Sequence, residues 1–125
     1  TKILIAEDNL LNQKVVLRLL ELTGVMADTC VNGKEAIDLI QKGEYGLVLM
    51  DCYMPRVDGL EATRAIRKLE MDTGCHIPIV AMTSEQTAEL ERECLAAGMD
   101  DFLTKPLQRE ALVEVLQRWT AEISN

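Results

Sequence analysis

Short runs of apolar residues alternate along the chain with longer segments in which apolar residues recur at helical spacing. The runs predict five strands, at residues 3–6, 25–30, 47–50, 77–82 and 102–103. The runs at residues 3–6 and 47–50 are apolar at every position, unlike a strand with one face in water. Such strands are buried on both faces, as in a parallel sheet. Five alternating strands and helices therefore predict an open α/β sheet with helices on both sides.

Capping residues predict where several helices begin and end. Asn32, followed three residues later by Glu35, resembles a capping box for a second helix. The fourth helix is expected to begin at a cap on Thr83 or Ser84 and to end at Gly98. The first and fifth helices are expected at residues 10–23 and 108–122.

The first predicted helix is apolar around more of its circumference than one buried face requires. At 100° per residue, the arc predicted to face the core consists of Val15, Val16, Leu19 and Leu20. The opposite arc consists of Leu10, Leu11, Lys14 and Leu17. Two interpretations stay open: a few leucines that simply face water, or a patch on which another helix docks.

Composition narrows the class of protein. The chain has 125 residues, which is the size of one domain, and 48% of them are hydrophobic, enough for one core. The net charge of −8 argues against direct binding of nucleic-acid backbones, which requires clustered Lys and Arg. The longest apolar runs are about four residues, too short to cross a bilayer. We expect a cytoplasmic domain that spans residues 1–125. Because the sequence does not begin with Met, we expect it to be a segment of a longer protein, whose other parts could carry a membrane anchor.

The cysteines and the single histidine do not predict a zinc site or a disulfide framework. The four cysteines are Cys30, Cys52, Cys75 and Cys94, and no two of them form a CxxC pair. We expect reduced thiols that serve as small apolar side chains. His76 is expected in a loop before the fourth strand, outside the predicted helices and strands.

Polar side chains follow four of the five predicted strands at their carboxyl ends. They are Glu7 and Asp8, Asp51, Thr83 and Ser84, and Lys105 before Pro106. Because ligands of open parallel sheets bind outside these ends, we expect three acids, a hydroxyl and an amine to meet in one crevice. Taken singly, each has a plain explanation: a solvated or first-turn acid, or a Lys-Pro turn.

Three carboxylates in one crevice repel one another, so their convergence indicates function. At ~4 Å and an effective dielectric constant of ~20, each pair costs on the order of 4 kcal/mol. A hard divalent cation relieves this repulsion, and Mg²⁺ suits carboxylates, water and phosphate oxygens. Lys105 can neutralise a phosphoryl oxygen, the Thr83 hydroxyl can donate to another, and an Asp carboxylate can act as a nucleophile.

Four segments, in order and suitably spaced, together resemble one family. They read ILIAEDNLLNQ, LVLMDCYMPRVDGLEATRAIR, IPIVAMTSE and AAGMDDFLTKPL. The chain resembles the response-regulator receiver domains of two-component signalling over nearly its whole length. The EDN-x-x-N-Q opening and the MDC-x-MP run are similar to receivers attached to hybrid sensor histidine kinases. The resemblance implies a flavodoxin-like, doubly wound sheet of five parallel strands in the order 2-1-3-4-5, flanked by five helices.

The resemblance also implies a role for each site residue. Asp51 would be the phosphoacceptor. Mg²⁺ would be bound by Glu7 (through water), Asp8, Asp51 and the main-chain carbonyl of Tyr53. The same ligands would also bind Mn²⁺. The phosphoryl group would be bound by Thr83, the main chain of Ser84, and Lys105. Thr83 and Phe102 would be the switch residues, and the Lys105-Pro106 bond would be cis.

The expected partner is a histidine kinase or a histidine phosphotransfer domain that presents a phosphohistidine in line with Asp51. Phosphorylation would then change the surface of helix four, strand five and helix five. The domain would catalyse its own phosphorylation and dephosphorylation without being a free-standing enzyme, and the longer chain could be a hybrid kinase. We expect a monomer or weak homodimer, with no direct contact to nucleic acid and no membrane insertion.

Two hypotheses concern particular side chains. Tyr53 and Glu85 are expected to screen the attacking water and so set the lifetime of the phosphate. The docking surface for the phosphodonor is expected to consist of Leu10, Leu11, Lys14, Leu17 and the loop after Pro106.

Three other readings compete with this one. An aspartyl-phosphate phosphatase often has a second acid two residues after its nucleophile, where this chain has Tyr53. A nucleotide or flavin binder would need a glycine-rich phosphate loop, and neither GxGxxG nor GxxxxGK[ST] occurs. A degenerate receiver that serves only as an interaction module would not need the intact set of acids, hydroxyl and amine.

Overall fold

Five strands alternate with five helices, as the sequence predicts. The computed structural model describes residues 2–54, 57–85 and 87–120. The strands are β1 (Lys2–Ala6), β2 (Met26–Cys30), β3 (Tyr45–Asp51), β4 (Ile79–Thr83) and β5 (Asp101–Thr104). The helices are α1 (Leu10–Thr23), α2 (Gly33–Ile40), α3 (Gly59–Glu70), α4 (Ala88–Ala97) and α5 (Arg109–Trp119).

The strands form one parallel sheet in the order β2-β1-β3-β4-β5. The expected strand order is therefore confirmed. The register aligns the carboxyl ends, since Ala6 pairs with both Cys30 and Met50, and Thr83 pairs with Thr104. The residues that follow these strands consequently leave the sheet along the same edge.

The hydrophobic core has two layers, one on each face of the sheet. Successive residues of β1 separate between them: Leu4 belongs to the layer that includes residues of α2, α3 and α4, and Ile3 belongs to the layer that includes residues of α1 and α5. Both side chains are completely buried. The unbroken apolar runs of the sequence reflect this two-sided burial.

The helix caps agree with the sequence pattern at α2 and differ from it at α4. Asn32 accepts a hydrogen bond from Glu35 N at 2.9 Å, which confirms the predicted cap. The cap expected for α4 at Thr83 or Ser84 is wrong, because Thr87 caps this helix and accepts from Leu90 N at 3.1 Å. Thr83 instead remains in β4. The predicted end of α5 at residue 122 lies outside the described residues.

The orientation of α1 differs from the predicted one. Its buried residues are Gln13, Val16 and Leu20. Val15, assigned above to the core arc, is 44% exposed, whereas Leu17, assigned to the outer arc, is half-buried against the core. The face of α1 that is buried is therefore rotated from the predicted face towards Gln13. This rotation turns Leu17 towards the core and Val15 towards the surface. Leu19 is also only half-buried.

All four cysteines are free thiols. Cys30, Cys52 and Cys94 are buried, as expected of small apolar side chains, and Cys75 is exposed. The thiols of Cys52 and Cys94 lie 3.7 Å apart. Within the described part of the chain, each helix is too short or too polar to cross a membrane.

Candidate functional site

Three carboxylates converge at the carboxyl edge of the sheet, as the strand ends predict. Glu7 and Asp8 follow β1, and Asp51 ends β3. One carboxylate oxygen of each lies within 4.8 Å of the other two. Glu7 and Asp51 are buried, and Asp8 is exposed.

Lys105 brings a positive charge to the same place. Its Nζ lies 2.7 Å from Glu7 Oε1 and 3.2 Å from Asp51 Oδ2. The main chain positions it, since Lys105 N donates to the carbonyl of Thr83 at 2.7 Å just beyond the paired ends of β4 and β5. The Lys105-Pro106 peptide bond is cis, as expected.

The two buried carboxyl groups differ in acidity. Burial, together with the neighbouring Glu7, raises the pKa of Asp51 from 3.8 to about 7, and Lys105 opposes the rise only in part. Burial alone would raise the pKa of Glu7 as well, but its interactions with the Lys105 ammonium, with Asp51 and with the main-chain N–H of Asn9 lower it overall. Without a cation, the pair therefore holds a proton on Asp51 near neutral pH.

The cluster suits a hard divalent cation. Glu7 Oε1 is fully buried and has no hydrogen bond of good geometry, although the Lys105 ammonium lies beside it. An oxygen in this state is available as a ligand. The donor set is entirely carboxylate oxygen, which Mg²⁺ accepts and which Mn²⁺ also tolerates. The residues present therefore fit Mg²⁺.

Thr83 reaches the same edge from the end of β4. Its hydroxyl is buried, donates to Glu85 O at 2.8 Å and accepts from Glu85 N at 3.0 Å. This hydroxyl is therefore occupied by the segment that follows β4. Ser84 is exposed and directly follows the end of β4.

Tyr53 lies at the rim of the carboxylate cluster. Tyr53 is 56% exposed, and Tyr53 N donates to Asp51 Oδ1 over a long 3.4 Å. Partial burial raises the pKa of the Tyr53 hydroxyl, and the negative charge of Glu85 raises it further. The charge of Glu85 therefore acts on Tyr53, and the role of the two residues in lifetime control stays a prediction.

The remaining predicted residues lie outside this cluster. Phe102, in β5, is half-buried against the core layer that contains Ala81 and Cys94. Pro106 is exposed immediately after Lys105.

On α1, three of the four predicted docking residues lie at the surface. Leu10 is 65% and Leu11 71% exposed, and Lys14 is exposed. Leu17 does not join them, for the reason given above. Val15 and Leu22 lie on the same exposed surface as Leu11, since both are exposed and both lie within about 40° of Leu11 around the helix.

Gln13 is a site residue that the sequence reasoning did not single out. It is 7% exposed, and its Nε2 donates to Glu7 O at 2.6 Å and to Cys30 O at 3.2 Å. The sequence could have indicated its burial, because Gln13 lies three and seven residues before Val16 and Leu20 and so shares a helix face with these two predicted core residues.

The sequence matches the family described as "Response regulator receiver domain" over residues 3–117. It is 40% identical over 127 residues to hybrid signal transduction histidine kinase B of Dictyostelium discoideum, covering 94% of this chain. The match takes up only 6% of that relative. The chain thus spans a small part of the curated relatives it matches, up to 15% in a probable histidine kinase of Oryza sativa.

Solved structures of similar sequence share the fold. The receiver domain of the Pseudomonas aeruginosa sensor histidine kinase PA1611, with magnesium in its active-site cleft, is 39% identical with a TM-score of 0.85. The alignment covers 94% of this chain and 95% of that one. The Saccharomyces cerevisiae Ssk1 receiver, crystallised with the histidine phosphotransfer protein Ypd1, has a TM-score of 0.91 at 30% identity, over 96% of this chain and 88% of that one.

Proposed function

Because the chain belongs to the response-regulator receiver domains, we propose that Asp51 accepts a phosphoryl group from a phosphohistidine in a Mg²⁺-dependent reaction. One observation carries the proposal: the carboxylates of Glu7, Asp8 and Asp51 converge beside the Lys105 ammonium at the carboxyl edge of the sheet. Within residues 2–54, 57–85 and 87–120, no other group of three such side chains brings one ligand atom of each within 4.8 Å of the others.

The reaction is an in-line displacement at phosphorus. A carboxylate oxygen of Asp51 forms the new bond to phosphorus as the phosphorus–nitrogen bond of the phosphohistidine breaks, and the imidazole leaves with the electron pair. Asp51 has to be ionised to attack, so the proton it holds near neutral pH must first leave. Lys105 stabilises the negative charge on the transferring oxygens.

Mg²⁺ would be held by the carboxylates of Asp8 and Asp51 and the main-chain carbonyl of Tyr53, with Glu7 acting through water. When bound, it supplies positive charge that offsets both the clustered carboxylates and the incoming phosphoryl group. Mn²⁺ would substitute, since it accepts the same oxygen donors. The magnesium-bound receiver of PA1611 supports this assignment.

The switch would begin at Thr83. To donate to a phosphoryl oxygen, its hydroxyl has to give up the bond to the carbonyl of Glu85. The main chain of Ser84 would supply a second donor. The exchange moves the segment between β4 and α4, and Phe102 would turn inward into the space that Thr83 leaves. The surface of α4, β5 and α5 would change as a result.

The phosphodonor would be a histidine kinase or a histidine phosphotransfer domain that docks on the exposed side of α1. Leu10, Leu11, Lys14 and Pro106 remain in the proposed surface, and Val15 and Leu22 extend it where Leu17 cannot. The complex between the Ssk1 receiver and Ypd1 supports this kind of partner. Exposed leucines on a helix are the anchors that a partner helix would bury.

Docking is tested by Leu11→Asp combined with Val15→Asp. We expect phosphotransfer from a phosphorylated histidine phosphotransfer protein to fall at least tenfold, because two charges would be placed in an apolar contact. Phosphorylation by acetyl phosphate should not change. Met71→Asp is the matched control, since Met71 is 82% exposed and follows α3 at the other end of the sheet. Equal transfer to all three proteins would remove the docking proposal.

The wider context of the chain is also an inference. We infer that the domain catalyses its own phosphorylation and dephosphorylation without being a free-standing enzyme. We also infer that it acts in the cytoplasm as one receiver domain of a longer protein, which could be a hybrid kinase. We further infer a monomer or weak homodimer that contacts neither nucleic acid nor membrane. A phosphatase is the less favoured alternative, since an exposed Tyr53 lies where a second acid would be needed.

Beryllofluoride, which mimics a phosphoryl group, tests the function directly. We expect ¹⁹F NMR to show a bound signal with wild-type protein only when Mg²⁺ is present, and no such signal with Asp51→Asn. A bound signal with Asp51→Asn would exclude Asp51 as the acceptor.

A further inference from the structure

The EDN-x-x-N-Q segment at residues 7–13 ends in a residue to which the mechanism above gives no role. We propose that Gln13 is a positioning residue, which fixes the main chain of Glu7 and Asp8 so that their carboxylates bind the cation. This inference rests on the proposed function, since it concerns the same cation.

Gln13 ties the ends of two strands together. β1 ends at Ala6, so the carbonyl of Glu7 lies beyond the sheet and outside its hydrogen-bond ladder. Gln13 Nε2 donates to this carbonyl at 2.6 Å and to the carbonyl of Cys30 at 3.2 Å. Cys30 O also accepts from Glu7 N at 3.0 Å. One buried amide thus takes the place of the missing ladder partner.

The beginning of α1 holds the other side of Glu7. Asn9 N donates to Glu7 Oε2 at 3.2 Å, and Asn9 O accepts from Gln13 N at 3.0 Å. The Asn9 side chain caps the helix by accepting from Asn12 N at 3.0 Å. Glu7 is therefore held at its carbonyl, its N–H and one carboxylate oxygen, and Gln13 supplies the hydrogen bond from inside the core.

The consequence for the cation follows from this geometry. Glu7 keeps one hydrogen bond to β2 through its N–H, but its carbonyl, which leads into Asp8, has no main-chain partner in the ladder. We infer that the Gln13 bridge to this carbonyl fixes the direction in which Glu7 and Asp8 leave the sheet. Partners that orient metal ligands without touching the metal typically change its affinity 10- to 100-fold when removed. Loss of the bridge should weaken cation binding more than it weakens the chemistry at saturating cation.

Gln13→Met tests the inference, because it keeps the length of the side chain and removes both donors. We expect the Kd for Mg²⁺, measured by isothermal titration calorimetry, to rise about tenfold relative to wild type. Phosphorylation by acetyl phosphate should slow at low Mg²⁺ and recover towards the wild-type rate at saturating Mg²⁺. A role in stability alone would leave the Kd unchanged.

Tyr45→Phe is the matched control. It removes another side-chain hydrogen bond, from the Tyr45 hydroxyl to Asp28 Oδ2 at 2.7 Å, at the opposite end of the sheet. Its Kd for Mg²⁺ should equal that of wild type. Gln13→Asn, which keeps an amide too short to reach both carbonyls, gives the same comparison if Gln13→Met does not fold.

The outcomes separate this inference from the proposed function. A folded Gln13→Met or Gln13→Asn variant that binds Mg²⁺ as tightly as wild type would overturn the role of Gln13 and leave that of Asp51 intact. Wild-type protein that neither binds Mg²⁺ nor becomes phosphorylated would overturn both.

Discussion

Two clusters of charge lie at opposite ends of the sheet, and each contains two carboxylates beside one cation. The carboxyl-edge cluster consists of Glu7, Asp51 and Lys105. The Arg67 cluster consists of Arg67, Glu70 and Asp100, close to the start of β4 and β5. Both clusters are largely buried. They differ in how completely their oxygens are satisfied.

The Arg67 cluster is saturated with donors. The guanidinium of Arg67 lies 2.6 Å from Glu70 Oε1 and 2.7 Å from Asp100 Oδ2. Main-chain donors complete it, since Ile77 N reaches Glu70 Oε2 at 2.7 Å and Ile79 N reaches Asp100 Oδ2 at 2.9 Å. Charges arranged in this way join α3 to the beginnings of two strands and stabilise the fold.

The carboxyl-edge cluster is left short of donors. Glu7 Oε1 has no hydrogen bond of good geometry, and the pKa of Asp51 is raised to about 7. Main-chain donors from Asn9 and Tyr53 reach Glu7 Oε2 and Asp51 Oδ1, but Glu7 Oε1 has only the Lys105 ammonium beside it. The incomplete set of hydrogen bonds at Glu7 Oε1, more than the presence of acids, distinguishes the proposed site from the Arg67 cluster.

Removing the cation of each cluster should give the largest contrast. Arg67→Met leaves Glu70 and Asp100 without their shared cation, so we expect the free energy of unfolding to fall by roughly 3 kcal/mol. Lys105→Met should cost less, because Asp51 can retain a proton. Urea unfolding at pH 7 measures both. A larger loss of stability in Lys105→Met than in Arg67→Met would contradict the structural role assigned to the Arg67 cluster.

Changing the pH should act on the carboxyl-edge cluster. The pKa of Asp51 is raised on folding, so the folded state binds more protons between pH 4 and 7 and loses stability as the pH rises through about 7. In EDTA, we expect wild-type protein to lose about 2 kcal/mol between pH 5 and 7 relative to Asp51→Asn. Urea unfolding curves at several pH values measure this difference. Parallel pH profiles for the two proteins would contradict the shift.

Adding Mg²⁺ should stabilise only one of the two clusters. At ten times its Kd, a ligand that binds the folded state adds about 1.4 kcal/mol to the free energy of unfolding. We expect wild type and Arg67→Met to gain equally, although the variant begins from a lower stability. Asp8→Asn should gain much less. A smaller gain in Arg67→Met than in wild type would show that the clusters are coupled.

The smallest expected effect concerns the rim of the carboxyl-edge cluster. We expect Tyr53→Asn to speed dephosphorylation of Asp51 a few-fold, because the ring near Glu85 no longer screens the attacking water. Met71→Asn, a change at an exposed side chain outside either cluster, is the control. The decay of phosphorylated protein measures the rate, and an unchanged rate for Tyr53→Asn would remove this role.

The sequence predicts the sheet and the convergence at its edge because both depend on short-range patterns. Unbroken apolar runs locate the buried strands, and polar residues at their ends must meet once the strands are parallel. Contacts made by tertiary structure are less accessible. The cap of α4 is Thr87 and not Thr83 or Ser84, because β4 extends through Thr83. No local pattern in this segment separates the residues that follow the strand from the residue that begins the helix.

The same limit explains α1 and the Arg67 cluster. A helical wheel that ranks residues by hydrophobicity places Val15 inside and ignores Gln13, whereas the carbonyls of Glu7 and Cys30 draw the Gln13 amide into the core. The Arg67 cluster joins α3 to Asp100, which lies 33 residues after Arg67, so no spacing pattern reveals that contact.

The central claim, that Asp51 accepts a phosphoryl group with the help of Mg²⁺, is tested most directly by mass spectrometry after incubation with acetyl phosphate. We expect wild-type protein to gain the mass of one phosphoryl group when Mg²⁺ is present and not in EDTA, with the modified peptide containing Asp51. Asp51→Asn should gain none. No modification of wild-type protein, or equal modification of Asp51→Asn, would contradict the account.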